Sequence, residues 1–321
     1  MQAILGVTVP FFALVLCGYW AARARVLPES SIAGLNAFVL YFALPCMLFR
    51  FGQNTPLLEL LNPSVLAVYV ACALVMVGFT VAVTLSRRVH LKDAAFGALV
   101  AAFPNTGFMG VPLLVALAGP AAAGPVICTV LADLFVTSSL CIALAQMHDA
   151  SGAGPRAAAW RALRGTLSNP LPWSIALGAL FSLVGWKLSG PPEVVVRMLA
   201  DAASPVALFT IGAVLWRAGQ HAHTRTPPAL YVPVALIKLL LHPLLVFMAA
   251  AAARQLGAGL TVAQITVMTL AAALPSASNV SLLAERYGAD NGRIARIIMT
   301  STVVAFASFS LLAWLFGVRP R

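Results

Sequence analysis

Two strings of small polar residues interrupt apolar stretches of the 321-residue chain: Phe103-Pro104-Asn105-Thr106-Gly107 and Leu274-Pro275-Ser276-Ala277-Ser278-Asn279. A proline removes a backbone donor and strains the turn before it, and Gly107 adds backbone freedom to the first string. If both strings break helices within a membrane, the freed peptide groups must be buried in protein or line a wet cavity. In hydrocarbon each unsatisfied group costs several kcal/mol. The half-helix that follows such a break offers free amides and a positive dipole end, which suits an anion such as a carboxylate. The candidate substrate-binding residues are therefore Pro104, Asn105, Thr106 and Gly107 at the first break and Pro275, Ser276, Ser278 and Asn279 at the second.

Ionisable residues inside apolar stretches form a second group, since a charge at mid-bilayer costs at least about 2.5–3.5 kcal/mol. Asp133 is followed by Thr137, Ser138 and Ser139, a polar patch compatible with proton or cation coupling or with a buried structural hydrogen bond. Asp201 lies four residues before Pro205, where it serves either coupling or the backbone freed at a break in the seventh apolar stretch. Lys238 and His242 share a helix face at i and i+4, and Lys238 has Asp133 or Asp201 available as a counter-charge. Asp93 and Glu285 read as solvated anchors near helix ends. His221 and His223 are too sparse for a metal site, and the five cysteines, all within apolar runs, have no metal or redox spacing. No metal or cofactor is expected. No HExxH, G-x-S-x-G or Walker string is present, so the chain does not read as an enzyme.

The elements that must position these residues follow from composition. The chain is 61% hydrophobic and only 9% charged, with a mean hydropathy of +0.95; soluble domains carry about 25% charged residues. This is a polytopic membrane protein. The net charge of +11 reflects short basic clusters between apolar runs, which speak to topology and not to a nucleic-acid partner. On a scale of about 20 apolar residues per crossing, spans are expected near 4–22, 31–50, 63–86, 93–118 and 124–147, then 169–186, 193–216, 229–252, 261–286 and 292–316. The segment 148–168 between the two sets of five reads as a cytoplasmic linker, separating a first unit (1–147) from a second (169–321).

Basic residues orient the spans. Arg23, Arg25, Arg87, Arg88, Lys92, Arg156, Arg161, Arg164, Arg217, Arg225, Arg286, Arg293 and Arg296 follow odd-numbered spans. Only Arg50, Lys187, Arg197, Arg254, Arg319 and Arg321 fall on the other side. The positive-inside rule then puts both termini on the extracytoplasmic side of a plasma or inner membrane. Five is odd, so related halves must be inverted repeats. Ala43-Leu44-Pro45 in span two answers Ala203-Ser204-Pro205 in span seven at an offset of 160 (205 − 45), and Pro104 answers Pro275 at 171 (275 − 104). The expected fold is all-α, with ten transmembrane helices in two inverted five-helix repeats and broken crossover helices at spans four and nine. Interrupted helices at matching positions point to a secondary transporter's binding site.

The string Phe-Pro-Asn-Thr-Gly-Phe-Met-Gly-Val-Pro-Leu-Leu at 103–114 resembles the first crossover motif of the auxin efflux carrier family, which includes the plant PIN carriers and bacterial malonate and malate permeases. Ala-Leu-Pro-Ser-Ala-Ser-Asn-Val at 273–280, followed by Ala284-Glu285-Arg286-Tyr287, is similar to its second. Leu35-Asn36-Ala37-Phe38 with Phe42-Ala43-Leu44-Pro45, and Lys238 with Pro243, resemble the family's second and eighth spans. The likeness implies a scaffold part, a mobile transport part, elevator-like alternating access and a homodimer formed through the scaffold. It also implies that Asn105 contacts a substrate carboxylate. The short central loop and the lack of an acid in span three depart from the plant pattern and favour a small organic acid over auxin. The chain thus reads as a secondary carrier of a small carboxylate such as malonate or malate. A cation-coupled antiporter or bile-acid-type symporter of similar architecture is the alternative, although such carriers would place acids at the crossover; a channel is the remaining rival.

Overall fold

The computed structural model describes residues 1–56, 60–147, 169–220 and 226–318, and these contain helices but no strand. The linker 148–168, His221, His223 and Arg225 lie outside the described residues. The helices are α1 (Gln2–Arg23), α2 (Glu29–Asn54), α3 (Pro63–Thr84), α4 (Leu91–Ala102), α5 (Thr106–Ala118), α6 (Pro120–Met147), α7 (Pro170–Leu183), α8 (Pro191–Gln220), α9 (Val232–Gln255), α10 (Val262–Ala272), α11 (Val280–Arg286) and α12 (Asn291–Leu315).

Among the described residues seven helices are long and apolar enough to cross a membrane: α1, α2, α3, α6, α8, α9 and α12. Three shorter apolar helices, α5, α7 and α10, accompany them. The chain is a multi-pass membrane protein. Spans four and nine, expected as broken, are each divided into two helices, α4/α5 and α10/α11. Span seven is different: α8 runs without interruption from Pro191 through Pro205 to Gln220. The expectation of a break there is corrected, since a membrane helix tolerates one proline when neighbouring groups satisfy its backbone.

Two groups of helices are distinguishable by packing. α1 lies along α8, α2 lies along α7, and α2 also packs on α8. The second group gathers α3, α4, α6, α9 and α10, with α5, α11 and α12 completing it. In the first group the helix pairs meet backbone to backbone. A Cβ on Gly18 would collide with the Phe209 carbonyl and one on Gly212 with the Val15 carbonyl; a Cβ on Gly178 would strike the Phe49 carbonyl and one on Gly52 the carbonyl of Ile175. Gly178 follows Gly18 by 160 residues (178 − 18), as Gly212 follows Gly52 (212 − 52).

The divided helices occupy the centre of the second group. Every side chain from Ala94 to Ala102 in α4 is buried, as are those from Val267 to Ala272 in α10. A helix that is apolar all round belongs inside protein and not against solvent. At the end where α4 begins, Asp93 and Asp290 fasten three helix starts. Asp93 Oδ1 accepts from the Asp290 amide (2.8 Å), and Asp290 caps α12 by accepting from the Arg293 amide (2.9 Å). The buried Arg293 guanidinium donates to the Leu230 and Asp93 carbonyls at 2.8 and 2.9 Å. Asp93 is therefore a structural tie as well as a helix-end residue.

Candidate functional site

The first break begins as residue chemistry requires. Phe103, restricted by the following proline, adopts φ −104° and ψ 95° and leaves the helix. Pro104 cannot donate to Val100, whose carbonyl would be left without its usual i+4 partner. Ser276 of the other break supplies the missing donor: its Oγ donates to the Val100 carbonyl at 2.7 Å. The two breaks are then stitched by backbone. Pro104 and Ser276 form an antiparallel β-bridge in which the Asn105 amide donates to the Pro275 carbonyl (2.8 Å) and the Ala277 amide to the Phe103 carbonyl (3.0 Å).

The second break disposes of its freed carbonyl differently. Ala272, the last residue of α10, accepts a 2.6 Å hydrogen bond from Lys238 Nζ on α9. A cation at a helix C-terminus also suits the dipole. The Ser276 amide donates to Ser301 Oγ on α12 at 3.2 Å.

These bonds define which donors remain. The amides of Asn105, Thr106, Met109, Gly110, Ser276 and Ala277 are all engaged. Those of Gly107, Phe108, Ser278 and Asn279 donate to no acceptor among the described residues. The crossing therefore retains four spare N–H groups, two from each break. Gly110 is more closely packed than Gly107. A Cβ on Gly110 would stand 2.6 Å from Leu274 Cδ1, whereas Gly107 has open space around it and no positive φ.

The candidate binding residues come together here. Pro104, Asn105, Thr106, Pro275, Ser276 and Ser278 are buried, and Gly107 and Asn279 are half-buried. A crevice too tight to hold a water molecule lies between the two helix groups, and of the candidate residues Ser278 and Asn279 line it. Asn36 of α2 and Thr210 and Ile211 of α8 form one wall. Phe108, Ser278, Asn279 and Leu282 form the other. Asn279 Oδ1 is sealed from solvent without a hydrogen-bond partner among the described residues. Thr210 was not singled out by sequence, because its hydroxyl donates locally to the Val206 carbonyl (2.6 Å), as threonines in apolar helices commonly do.

The ionisable residues separate into two places. Asp133, Lys238 and His242 are fully buried in one cluster. Asp133 accepts from Tyr69 Oη (3.2 Å) and Thr137 Oγ1 (3.0 Å). Lys238 Nζ lies 3.1 Å from His242 Nδ1, and the Tyr69 and His242 rings stack obliquely at 5.9 Å. Lys238 and Asp133 form no ion pair with each other among the described residues. The direct partners of Lys238 are thus a backbone carbonyl and a histidine. Tyr69 completes the cluster from α3, and its lone position in an apolar run gave no sign of a partner. Asp201 stands apart, with its side chain 68% exposed and paired at 3.2 Å with Arg50. It caps no break. No group of side chains suited to a metal ion occurs among the described residues.

Comparison with known proteins now adds to this geometry. Residues 3–315 match the family model described as "Membrane transport protein". The chain is 29% identical over 320 residues to a Rhizobium meliloti protein named "Putative malonate transporter", covering 98% of this chain and 96% of that one. It is 25% identical over 295 residues to "Uncharacterized transporter YfdV" of Escherichia coli, 88% of each chain. It is also 26% identical over 301 residues to an "Uncharacterized transporter" of Methanothermobacter thermautotrophicus, 93% of each.

Proposed function

From the premise that this chain belongs to the membrane transport protein family of the auxin efflux carriers, and is a transporter and not an enzyme, we propose that it carries a small carboxylate across the cytoplasmic membrane by moving the crossover past a fixed scaffold. One observation carries this reading: the four spare amides of Gly107, Phe108, Ser278 and Asn279 are gathered where two helix breaks are stitched together, beside a crevice between two helix groups. Free amides at the start of α5 favour an anion. The relative named for malonate supports a short dicarboxylic acid as the first substrate to try.

The first helix group, α1, α2, α7 and α8, is the scaffold in this reading, and a homodimer forms through it. The remaining helices move. The architecture is two inverted repeats of five spans, 1–147 and 169–321, joined by the linker 148–168. The paired glycine contacts at one shared offset of 160 residues support it, as does the match of α1–α8 packing by α7–α2 packing. With both termini extracytoplasmic, the crevice opens toward the cytoplasm, because Asn36 lies near the start of α2 and Thr210 toward the end of α8.

Asn105 donates to the substrate carboxylate, with Thr106 and the Ser276–Asn279 segment around it. Both breaks are free of acids, which argues against a cation-binding crossover. Coupling belongs to the buried cluster: Asp133 with Lys238 is the candidate for proton or sodium linkage, while the exposed Asp201 is a weaker candidate.

Uptake into proteoliposomes tests the reading, using labelled malonate, malate, succinate, acetate and an indole acid under imposed pH and sodium gradients. Saturable uptake of one acid, lost in Asn105→Ala, is expected. Unchanged affinity in that variant would remove Asn105 from the site. Asp133→Asn is expected to abolish the response to one of the two gradients; a wild-type response in that variant takes Asp133 out of coupling.

A further inference from the structure

In an unbroken helix the Ala272 carbonyl would accept from the Ser276 amide, four residues on. Here that amide turns to Ser301 Oγ (3.2 Å), and the freed carbonyl, at the C-terminal end of α10, meets Lys238 Nζ at 2.6 Å. Both residues are fully buried. In transporters with broken helices, carbonyls freed at the end of a half-helix are where a coupling sodium ion is held. In this chain an ammonium group on a side chain stands there.

The surroundings suit a cation. The bond to Ala272 is short, as bonds from a charged donor are, and a helix C-terminus carries about half a negative charge. His242 Nδ1, 3.1 Å from Nζ, accepts from it in one tautomer. Beyond His242 lies the Tyr69 ring, and Asp133 accepts from both Tyr69 Oη and Thr137 Oγ1, a pattern that suits an ionised carboxylate. Both charged residues occupy wide turns inside longer helices, Asp133–Thr137 in α6 and Ile237–Leu241 in α9. Such turns recur at functional sites.

We propose, on the carrier reading above, that Lys238 is a tethered cation: its ammonium fills the place of a coupling sodium ion at the end of α10, so that the carrier runs without sodium. Lys238 is then a positioning residue, acting on the second break through the Ala272 carbonyl.

The test compares wild type with Lys238→Ala, which deletes the equivalent of n-propylammonium, and Lys238→Met, which keeps the length without the charge. Wild-type malonate uptake into proteoliposomes is expected to be the same under an inward sodium or an inward choline gradient. Lys238→Ala is expected to lose malonate counterflow, which needs no ion gradient, and n-propylammonium chloride restores it. The uncharged n-propanol, of similar size, does not, and Lys238→Met, whose side chain fills the space, stays inactive with either. Thermal unfolding in detergent reads the same site without transport: the amine at about ten times its Kd raises the melting temperature of Lys238→Ala by about 2–4 °C and leaves wild type unchanged. Wild-type uptake that grows with the sodium gradient overturns the proposal and leaves the carrier reading intact. So does rescue by n-propanol equal to that by the amine, or full counterflow in Lys238→Met. Absence of any acid uptake by folded wild type overturns the carrier reading and the proposal with it.

Discussion

The two helix breaks solve one problem by different means. Pro104 deprives the Val100 carbonyl of its partner, and a side chain of the opposite break, Ser276, restores it. At the second break Pro275 deprives the Ala271 carbonyl, which accepts from the Leu274 amide, and the next carbonyl, that of Ala272, is served by a charged residue from α9, Lys238. The helices beyond also differ. Thr106–Ala118 continues as a substantial half-helix after a wide turn at Thr106–Gly110, whereas Val280–Arg286 is seven residues long. The first break is thus the stronger source of amide dipole, while the second is wired to the buried cluster of Asp133, Tyr69 and His242. In the proposed carrier, the first arm serves the anion and the second links the crossing to the buried cluster.

The sharpest way to break this comparison is Lys238→Met. It removes the donor to Ala272 and the contact with His242. Destabilisation of about 1.5–3 kcal/mol is expected, the usual worth of a buried hydrogen bond from a charged group, and thermal unfolding in detergent measures it. If the loss is small, the second break does not depend on the cluster. Next comes Asn105→Ala, expected to weaken malonate uptake about 10–100-fold through loss of a hydrogen bond to a charged group, with melting unchanged. Asn279→Ala, in the crevice wall, is expected to cost only about 2–10-fold; equal effects of the two would erase the division of labour.

Ser276→Ala leaves the Val100 carbonyl unsatisfied and is expected to cost about 1–3 kcal/mol of stability. Ser276→Thr, which keeps the hydroxyl, should recover most of it. The smallest effect is expected for Gly107→Ala. With open space and an ordinary φ at that position, stability should stay within about 0.5 kcal/mol of wild type. Gly110→Ala, crowded by Leu274, is the contrasting control.

Much of this was legible in the sequence because hydropathy and proline chemistry are local. The helices fall within a few residues of the expected spans, and both breaks lie at their prolines, where a missing N–H forces the chain out of the helix. What stayed hidden depends on contacts between distant residues. Lys238 announced a need for a partner, but the partner is a main-chain carbonyl, to which no residue type gives a clue. Tyr69 meets Asp133 across 64 positions. Pro205 suggests a break that the helix does not make, since packing around α8 decides whether a proline's missing N–H interrupts it. The glycines at 18, 52, 178 and 212 look ordinary in apolar runs, and only close approach of neighbouring backbones gives them a role.

The stitching of residues 103–105 to 275–277 also sets an order of assembly. A chain made from its N-terminus inserts α4 long before Ser276 exists, so the Val100 and Phe103 carbonyls wait for partners that arrive almost at the end of synthesis. The central site is consequently among the last parts of the molecule to form. A polypeptide cut short anywhere before the second break would lack the partners of these two carbonyls. Completion of the ninth span is therefore what satisfies the backbone of the fourth.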